Sequence, residues 1–243
     1  MASRGSGAPE PCAGSPAVVE PFESESCLVT GLFNDPRVRV LTSPISDAFV
    51  ALLSEREARA MAGMVEKRRR EFATARVLAR KGLERFFGVP GFDLLNAPDR
   101  APVWPSGITG SIAHSHTRAW VALVDSAFGT VGIDGEDRDE LGRNVWHLTL
   151  RDEEVASLET LDASSRGRRA LAIFSAKEAL YKAQYPRSGS FMDYKALRVE
   201  FGDTGLLRGT FHQAVGPFPK GFVVHGRWLD GDSLVTAMWI PAR

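Results

Sequence analysis

The longest unbroken pattern in this chain is helical. In EKRRREFATARVLARKGLERFFG, residues 66–88, the apolar positions Phe72, Ala75, Ala79, Leu83 and Phe86 recur at spacings of three and four. That spacing makes one apolar stripe, and a stripe must be covered by another surface. Gly88 and Pro90 end the run in the usual way. The cover has to come largely from strands. About sixty residues at the C-terminal end alternate between apolar and polar, in KALRVEF, LRGTFH, GFVVHGRWL and SLVTAMWI. Two more helices are predicted over 151–158 and 168–184, the second with Leu171, Phe174, Leu180 and Tyr181 as its contacts. Helix plus antiparallel strands in each half predicts an α+β fold and two related lobes, although no sequence repeat is evident.

The rest of the chain fits that frame. Residues 27–32 read as a first strand, and 43–64 as loop and then helix. APDRAPVWPSG is too rich in proline for regular structure. SIAHSHTRAWVALV and GTVGIDGE read as two strands of one hairpin, turning at 125–129. The predicted division is a flexible leader over 1–24, an N-terminal α+β lobe over 25–127 and a C-terminal α+β lobe over 128–243.

Bulk composition excludes several function classes. Lys plus Arg and Asp plus Glu each number 30 among 243 residues, so the net charge is zero. No global field draws the chain to nucleic acid or an anionic membrane, and any electrostatic recognition must be local. Cys12 and Cys27 are the only cysteines, too few for a disulfide framework or a metal knuckle. A reducing, cytoplasmic setting is expected. No apolar run approaches the roughly 20 residues of a membrane helix, and the N-terminus lacks the apolar core of a secretory signal.

Chemistry concentrates where a strand runs into acid. VGIDGEDRDE carries five carboxylates within seven positions, from Asp134 to Glu140. Asp134 and Glu136 share a strand face, about 6–7 Å apart. At an effective dielectric near 20 their repulsion would be roughly 2–3 kcal/mol. Such a pair either stays in water or takes a cation, and hard carboxylate oxygens completed by water and phosphate suit Mg2+. Gly135 between them is expected to leave room for a ligand. In FSAKEALYKAQYP, Glu178 and Lys182 lie four apart on one helical face, with Lys177 beside them. That is the spacing of an ordinary surface ion pair, and equally of an acid for a metal flanked by lysines for phosphate.

Three further readings remain open at this level. His114 and His116 alternate on a predicted strand, as zinc ligands, as a phosphate contact through His114, or as hydrogen-bonded histidines. Lys67 to Arg70 put four cations at a helix start, where the macrodipole disfavours them. Arg76 and Arg80 continue that character, and Arg100 stands in the proline-rich loop; the run is a solvated face or a polyanion site. Arg68 and Arg76 differ by about 80° around a helix, so Arg69, Arg76 and Arg80 align better. Without interleaved aromatics, nucleic acid is not the polyanion.

Taken in order, KRRREF, VWP, GSIAHS, VGIDGE and FSAKEALYK resemble the 4'-phosphopantetheinyl transferases of the long type, closest to the enterobactin-type branch. The similarity runs over residues 65–201, and it is the pairing of GIDGE with KEALYK some forty residues later that is specific. The resemblance implies a pseudo-dimer of two similar α+β lobes with coenzyme A, the co-substrate, in the cleft between them, in a monomer. It implies Mg2+, or Mn2+, on Asp134, Glu136 and Glu178. His114, Arg68, Arg76 and Arg100 are then expected on coenzyme A phosphates, with Lys182 near the bridging phosphates and Lys177 a further candidate there. Glu178, Lys182 and Asp134 become the expected catalytic groups, and the partner an acyl or peptidyl carrier protein rather than nucleic acid or membrane. The family usually has Ser or Thr where this chain has Ala113, which removes one hydroxyl from the expected ligand contacts. Two other classes compete: a metal-dependent hydrolase built on His114, His116 and Asp134, and a non-catalytic coenzyme A or carrier-protein binding module.

Overall fold

A computed structural model describes residues 19–22, 26–29, 32–33, 35–137 and 140–242. In chain order the elements are β1 (Val19–Phe22), β2 (Ser26–Val29), β3 (Arg39–Pro44), α1 (Glu55–Met61), α2 (Glu66–Phe87), β4 (Ile108–His114), β5 (Arg118–Asp125) and β6 (Gly129–Glu136). There follow α3 (Trp146–Thr149), α4 (Asp152–Glu159), α5 (Ala163–Ser188), β7 (Leu197–Phe201), β8 (Leu206–Phe211), β9 (Val223–Asp230) and β10 (Leu234–Pro241). Val19–Phe22, within the predicted leader, forms an edge strand; residues 1–18 and 23–25, with the remainder of that leader, lie outside the described residues.

Two antiparallel five-stranded sheets result, ordered β1-β2-β3-β5-β4 and β6-β10-β9-β8-β7. Each lobe sets one long helix on its sheet. The α2 stripe lands as the periodicity requires: Ala75, Leu78, Ala79 and Leu83 pack with Leu41, Ala119, Val121 and Leu123. Each fully buried leucine there contributes about 1.5–3 kcal/mol. Gly88 closes the helix in the left-handed conformation at φ 65°, its N–H reaching the Leu83 and Glu84 carbonyls. In the second lobe α5 presents Ile173, Ala176, Ala179, Leu180 and Ala183 to a core shared with Leu197, Leu207, Phe211 and Met238. The opposite faces of both sheets meet in a third cluster, where Val40, Trp120, Ala122 and Val124 join Val131, Ile133, Val235 and Ala237.

One topological expectation is corrected. GTVGIDGE is no hairpin partner of the preceding strand, because β6 pairs antiparallel with β10 in the other sheet. The hairpin lies earlier, within SIAHSHTRAWVALV, where β4 pairs with β5. Its turn is made by Ser115, whose Oγ accepts from the backbone N–H groups of Thr117 and Arg118. What crosses from one sheet to the other is the short link after Asp125. Among the described residues no helix is long and apolar enough to cross a membrane.

Candidate active site

β6 is covered on both faces, and its period of two decides what each cover sees. Val131 and Ile133 face the first sheet. Gly132, Asp134 and Glu136 face α5. A Cβ on Gly132 would lie 1.8 Å from the Ala179 carbonyl oxygen and 2.6 Å from the Ala183 nitrogen, so only glycine lets the helix lie this close. The contact is tied by Thr130 Oγ1 donating to the Ala183 carbonyl at 2.7 Å. Lys182, the residue before Ala183, donates from Nζ to Asp134 Oδ1 at 2.7 Å and to the Ile133 carbonyl at 3.1 Å.

Asp134 is 7% exposed, and its Oδ2 is buried with no hydrogen-bond partner. A buried carboxylate oxygen without a donor is costly. Glu136, at the strand end, has its carboxyl pushed up to about 7, first by burial and then by the Asp134 charge, with Asp137 and Glu178 adding to it and Lys182 opposing. Glu178 approaches from α5, and its Oε1 accepts from the Tyr194 phenol. The donor set is therefore hard oxygen, crowded and short of positive charge, as a divalent cation would require. In the side-chain arrangement present, Asp134 and Glu178 each hold a protein partner, and no three His, Cys, Asp or Glu residues among the described ones stand close enough together to share an ion.

The expected roles of two glycine and lysine positions change. Gly135 opens no space for a ligand: a Cβ there would meet the Trp120 ring at 2.4 Å, so it serves the packing between sheets. Lys177 points away from the acids. It is 1% exposed, donates to the Thr149 carbonyl at 2.8 Å and pairs with Glu154 Oε2 at 2.6 Å. Burial depresses its ammonium group, with Glu154 opposing. Lys177 is a counterion within the second lobe, not a phosphate contact.

A cleft of about 630 Å³ runs between the lobes, lined by α2, the loop from Asn96 to Trp104, β4 and the last turns of α5. Arg68, Arg76, Arg100, His114 and Lys182 all reach it. Arg68, not Arg69 or Arg80, keeps company with Arg76. Its Nη1 donates to Glu71 Oε2 at 3.2 Å and to His114 Nε2, which fixes that nitrogen as the acceptor. Burial holds the His114 imidazole below its usual range; Glu71 opposes this, while Arg68 and Lys182 reinforce it. Arg76 is anchored by Nε to the Leu94 carbonyl at 2.8 Å and by Nη2 to Asn96 Oδ1 at 2.5 Å, with its guanidinium 4.3 Å from the Phe72 ring centre. Burial lowers it to about 10, so it remains a cation at neutral pH. Arg80 instead pairs with the buried Glu57 at 2.8 Å. Arg100 holds a left-handed φ of 72°, uncommon for a residue with a Cβ. Beside it, Asp99 accepts from the Tyr185 hydroxyl of α5 at 2.9 Å, clasping the loop across the cleft.

Past Tyr181, which lines both spaces, a smaller pocket of about 230 Å³ lies against Glu178, with Met192, Tyr194 and Leu197 in its wall. Phe191, 81% exposed, also borders it. The two histidines do not share a site. His116 lies in the Ser115–Thr117 turn with Lys67 Nζ on its Nδ1 at 2.7 Å, so no metal set of His114, His116 and Asp134 exists among the described residues. Ala113 is buried with Trp120 on the core side of β4, so a hydroxyl there would face away from the cleft. Sequence reasoning missed Gly132, Glu71 and Tyr194. Gly132 had a signal, a glycine inside a strand two residues before the acid; Tyr194, sixteen residues from Glu178, had none.

Fold and site together define a two-lobed α+β protein with a cation-lined cleft and a lysine bridging that cleft to a buried acid strand. Comparison with known proteins agrees in both halves. Residues 56–124 match the model of the 4'-phosphopantetheinyl transferase N-terminal domain, and residues 130–237 that of the 4'-phosphopantetheinyl transferase superfamily. The 4'-phosphopantetheinyl transferase Svp of Streptomyces mobaraensis is 34% identical over 204 residues, covering 79% of this chain and 80% of that one. Npt of Nocardia iowensis is 32% identical over 187 residues (72% and 83%), and PptT of Mycobacterium tuberculosis 34% over 182 (74% and 76%). The chain belongs to the 4'-phosphopantetheinyl transferase family.

Proposed function

We propose that this transferase moves the 4'-phosphopantetheine arm of coenzyme A to a serine of an apo acyl or peptidyl carrier protein, releasing adenosine 3',5'-bisphosphate. The observation that carries the reading is the Asp134 carboxylate, buried with one oxygen held by Lys182 and the other without a partner. Its lysine opens onto a cleft lined by three arginines and a histidine. Asp134, Glu136 and Glu178 would hold Mg2+, which when bound supplies positive charge against the pyrophosphate.

This chain's own side chains would divide the remaining work. Arg68, Arg76, Arg100 and His114 receive phosphate groups, which positions the reacting phosphorus. His114, kept neutral by its surroundings, accepts from Arg68 and so orients that cation without adding charge. The apolar pocket beside Glu178 suits the uncharged arm. Glu178 takes the proton from the serine hydroxyl as the oxygen attacks, and Lys182 stabilises the negative charge left on the departing phosphate. Both lobes line the cleft, so a monomer suffices for this reading, and a cytoplasmic setting would supply coenzyme A.

Intact-mass spectrometry of an apo carrier protein, incubated with this protein, coenzyme A and Mg2+, tests the reading. A gain of one phosphopantetheine arm, lost in Glu178→Gln and with a chelator, is expected. No gain on carriers of several pathways, despite coenzyme A binding, would leave a non-catalytic binding module.

A further inference from the structure

Glu178 and Lys182 stand at the spacing of a favoured helical ion pair, yet they do not use it. Lys182 goes to Asp134, and Glu178 goes to the phenol of Tyr194. That phenol is firmly seated. Its ring packs on Phe174 with centroids 5.4 Å apart. Its turn, Tyr194–Ala196, is capped by Asp193, whose side chain accepts from the Lys195 N–H at 2.7 Å. The Ala196 carbonyl accepts from the His212 N–H at 2.7 Å, which fastens the turn to the end of β8. Its partner is a carboxylate oxygen, which can only accept, so the phenol is the donor in this bond.

We propose that Tyr194 is the positioning residue for Glu178: it holds Oε1 by one neutral hydrogen bond, restrains a flexible side chain, and leaves the carboxylate its full charge for the roles given above. This rests on the reading of the site given above. A neutral donor orients the carboxylate without cancelling its charge, which an ammonium partner would do. Without it, Glu178 would swing toward Lys182 four residues on and draw that lysine from Asp134.

Tyr194→Phe keeps the ring on Phe174 and removes only the donor. Its melting temperature should match that of the wild type within a few degrees. Two readouts separate positioning from packing. Mn2+ binding, followed by electron paramagnetic resonance on the metal-free protein without substrate, should weaken, and kcat should fall with KM for coenzyme A within twofold. Losses of about 10- to 100-fold are usual for partners that orient a metal ligand. Mn2+ affinity unchanged within twofold would overturn the proposal, whatever the activity. If wild-type protein binds Mn2+ but modifies no carrier, the transferase reading fails while the Mn2+ comparison still decides the role of Tyr194.

Discussion

Gly132→Ala is the most direct test of how this fold makes its site. The added methyl would stand 1.8 Å from the Ala179 carbonyl oxygen and 2.6 Å from the Ala183 nitrogen, both backbone atoms of one helix. No side chain can yield, so α5 must retreat from β6 by about 1.5 Å or more to restore ordinary contact. Overpacking of this kind costs about 1–3 kcal/mol. The retreat also stretches the Thr130 bond to Ala183 and the Lys182 bond to Ile133, each worth about 0.5–1.5 kcal/mol. The sum, about 2–6 kcal/mol, should lower the urea midpoint by about 1–3 M. Activity should suffer beyond stability, because the same retreat moves Glu178 and Lys182 from Asp134; a misplacement near 1 Å can cost about 100-fold. Gly231→Ala, where an added Cβ meets nothing within 4 Å, is the control. A Gly132→Ala protein with the control's urea midpoint would refute the close-packing account. One that is destabilised but transfers at the wild-type rate would refute the link between packing and site.

Three shorter expectations follow from the same contacts. Lys177→Met leaves Glu154 unpaired in the core and should destabilise by about 3–5 kcal/mol, while KM for coenzyme A stays put; a raised KM at an unchanged melting temperature would mean that Lys177 meets the ligand. In metal-free protein, the Glu136 carboxyl titrates near 7 when folded against a reference of 4.5, so the folded state holds the extra proton between those values and stability falls as pH rises through that window. Discounted for its partial exposure, the loss should be about 1–2 kcal/mol, and Glu136→Gln should flatten the urea midpoint between pH 5 and 8. Glu57→Gln removes the charge that Arg80, the Leu94 N–H and the Ser54 N–H converge on; it should loosen the loop carrying Asn96 and Arg100 and raise KM for coenzyme A severalfold, and a fall in kcat alone would contradict this.

The elements were legible where one period ran long enough. The strands β7, β8 and β9 emerge at their expected places because burial alternates along each of them, and α2 because its apolar stripe runs on from Phe72 to Phe86. β6 misled for the converse reason: buried on both faces, its pattern does not say which neighbour it pairs with, and proximity in sequence favoured β5. The arginine positions misled because a helical wheel treats side chains as spokes. Arg68 reaches the cleft through its length and its bond to Glu71, while the better-aligned Arg80 is captured by Glu57. Lys177 could not be sorted from Lys182 by composition, since what separates them is Glu154, 23 residues away.

Adjacent residues on α5 point about 100° apart, and this divides the KEALYK segment between two tasks. Lys177 turns inward to Glu154, which also accepts from the Val199 N–H, and so ties the helix to β7. Glu178, one step on, turns to Tyr194 and the smaller pocket. Gly132 fixes the separation of α5 from β6, and the alternation of β6 then puts Asp134 and Glu136 on the face of the strand that α5 covers. A slip of one residue in β6 would send both acids into the apolar cluster around Trp120 and bring Ile133 and Gly135 to the helix. The register is thus held by apolar packing on one face and by charge on the other. The burial that secures it also strips Asp134 of water, leaving Lys182 beside one oxygen and no partner for the other.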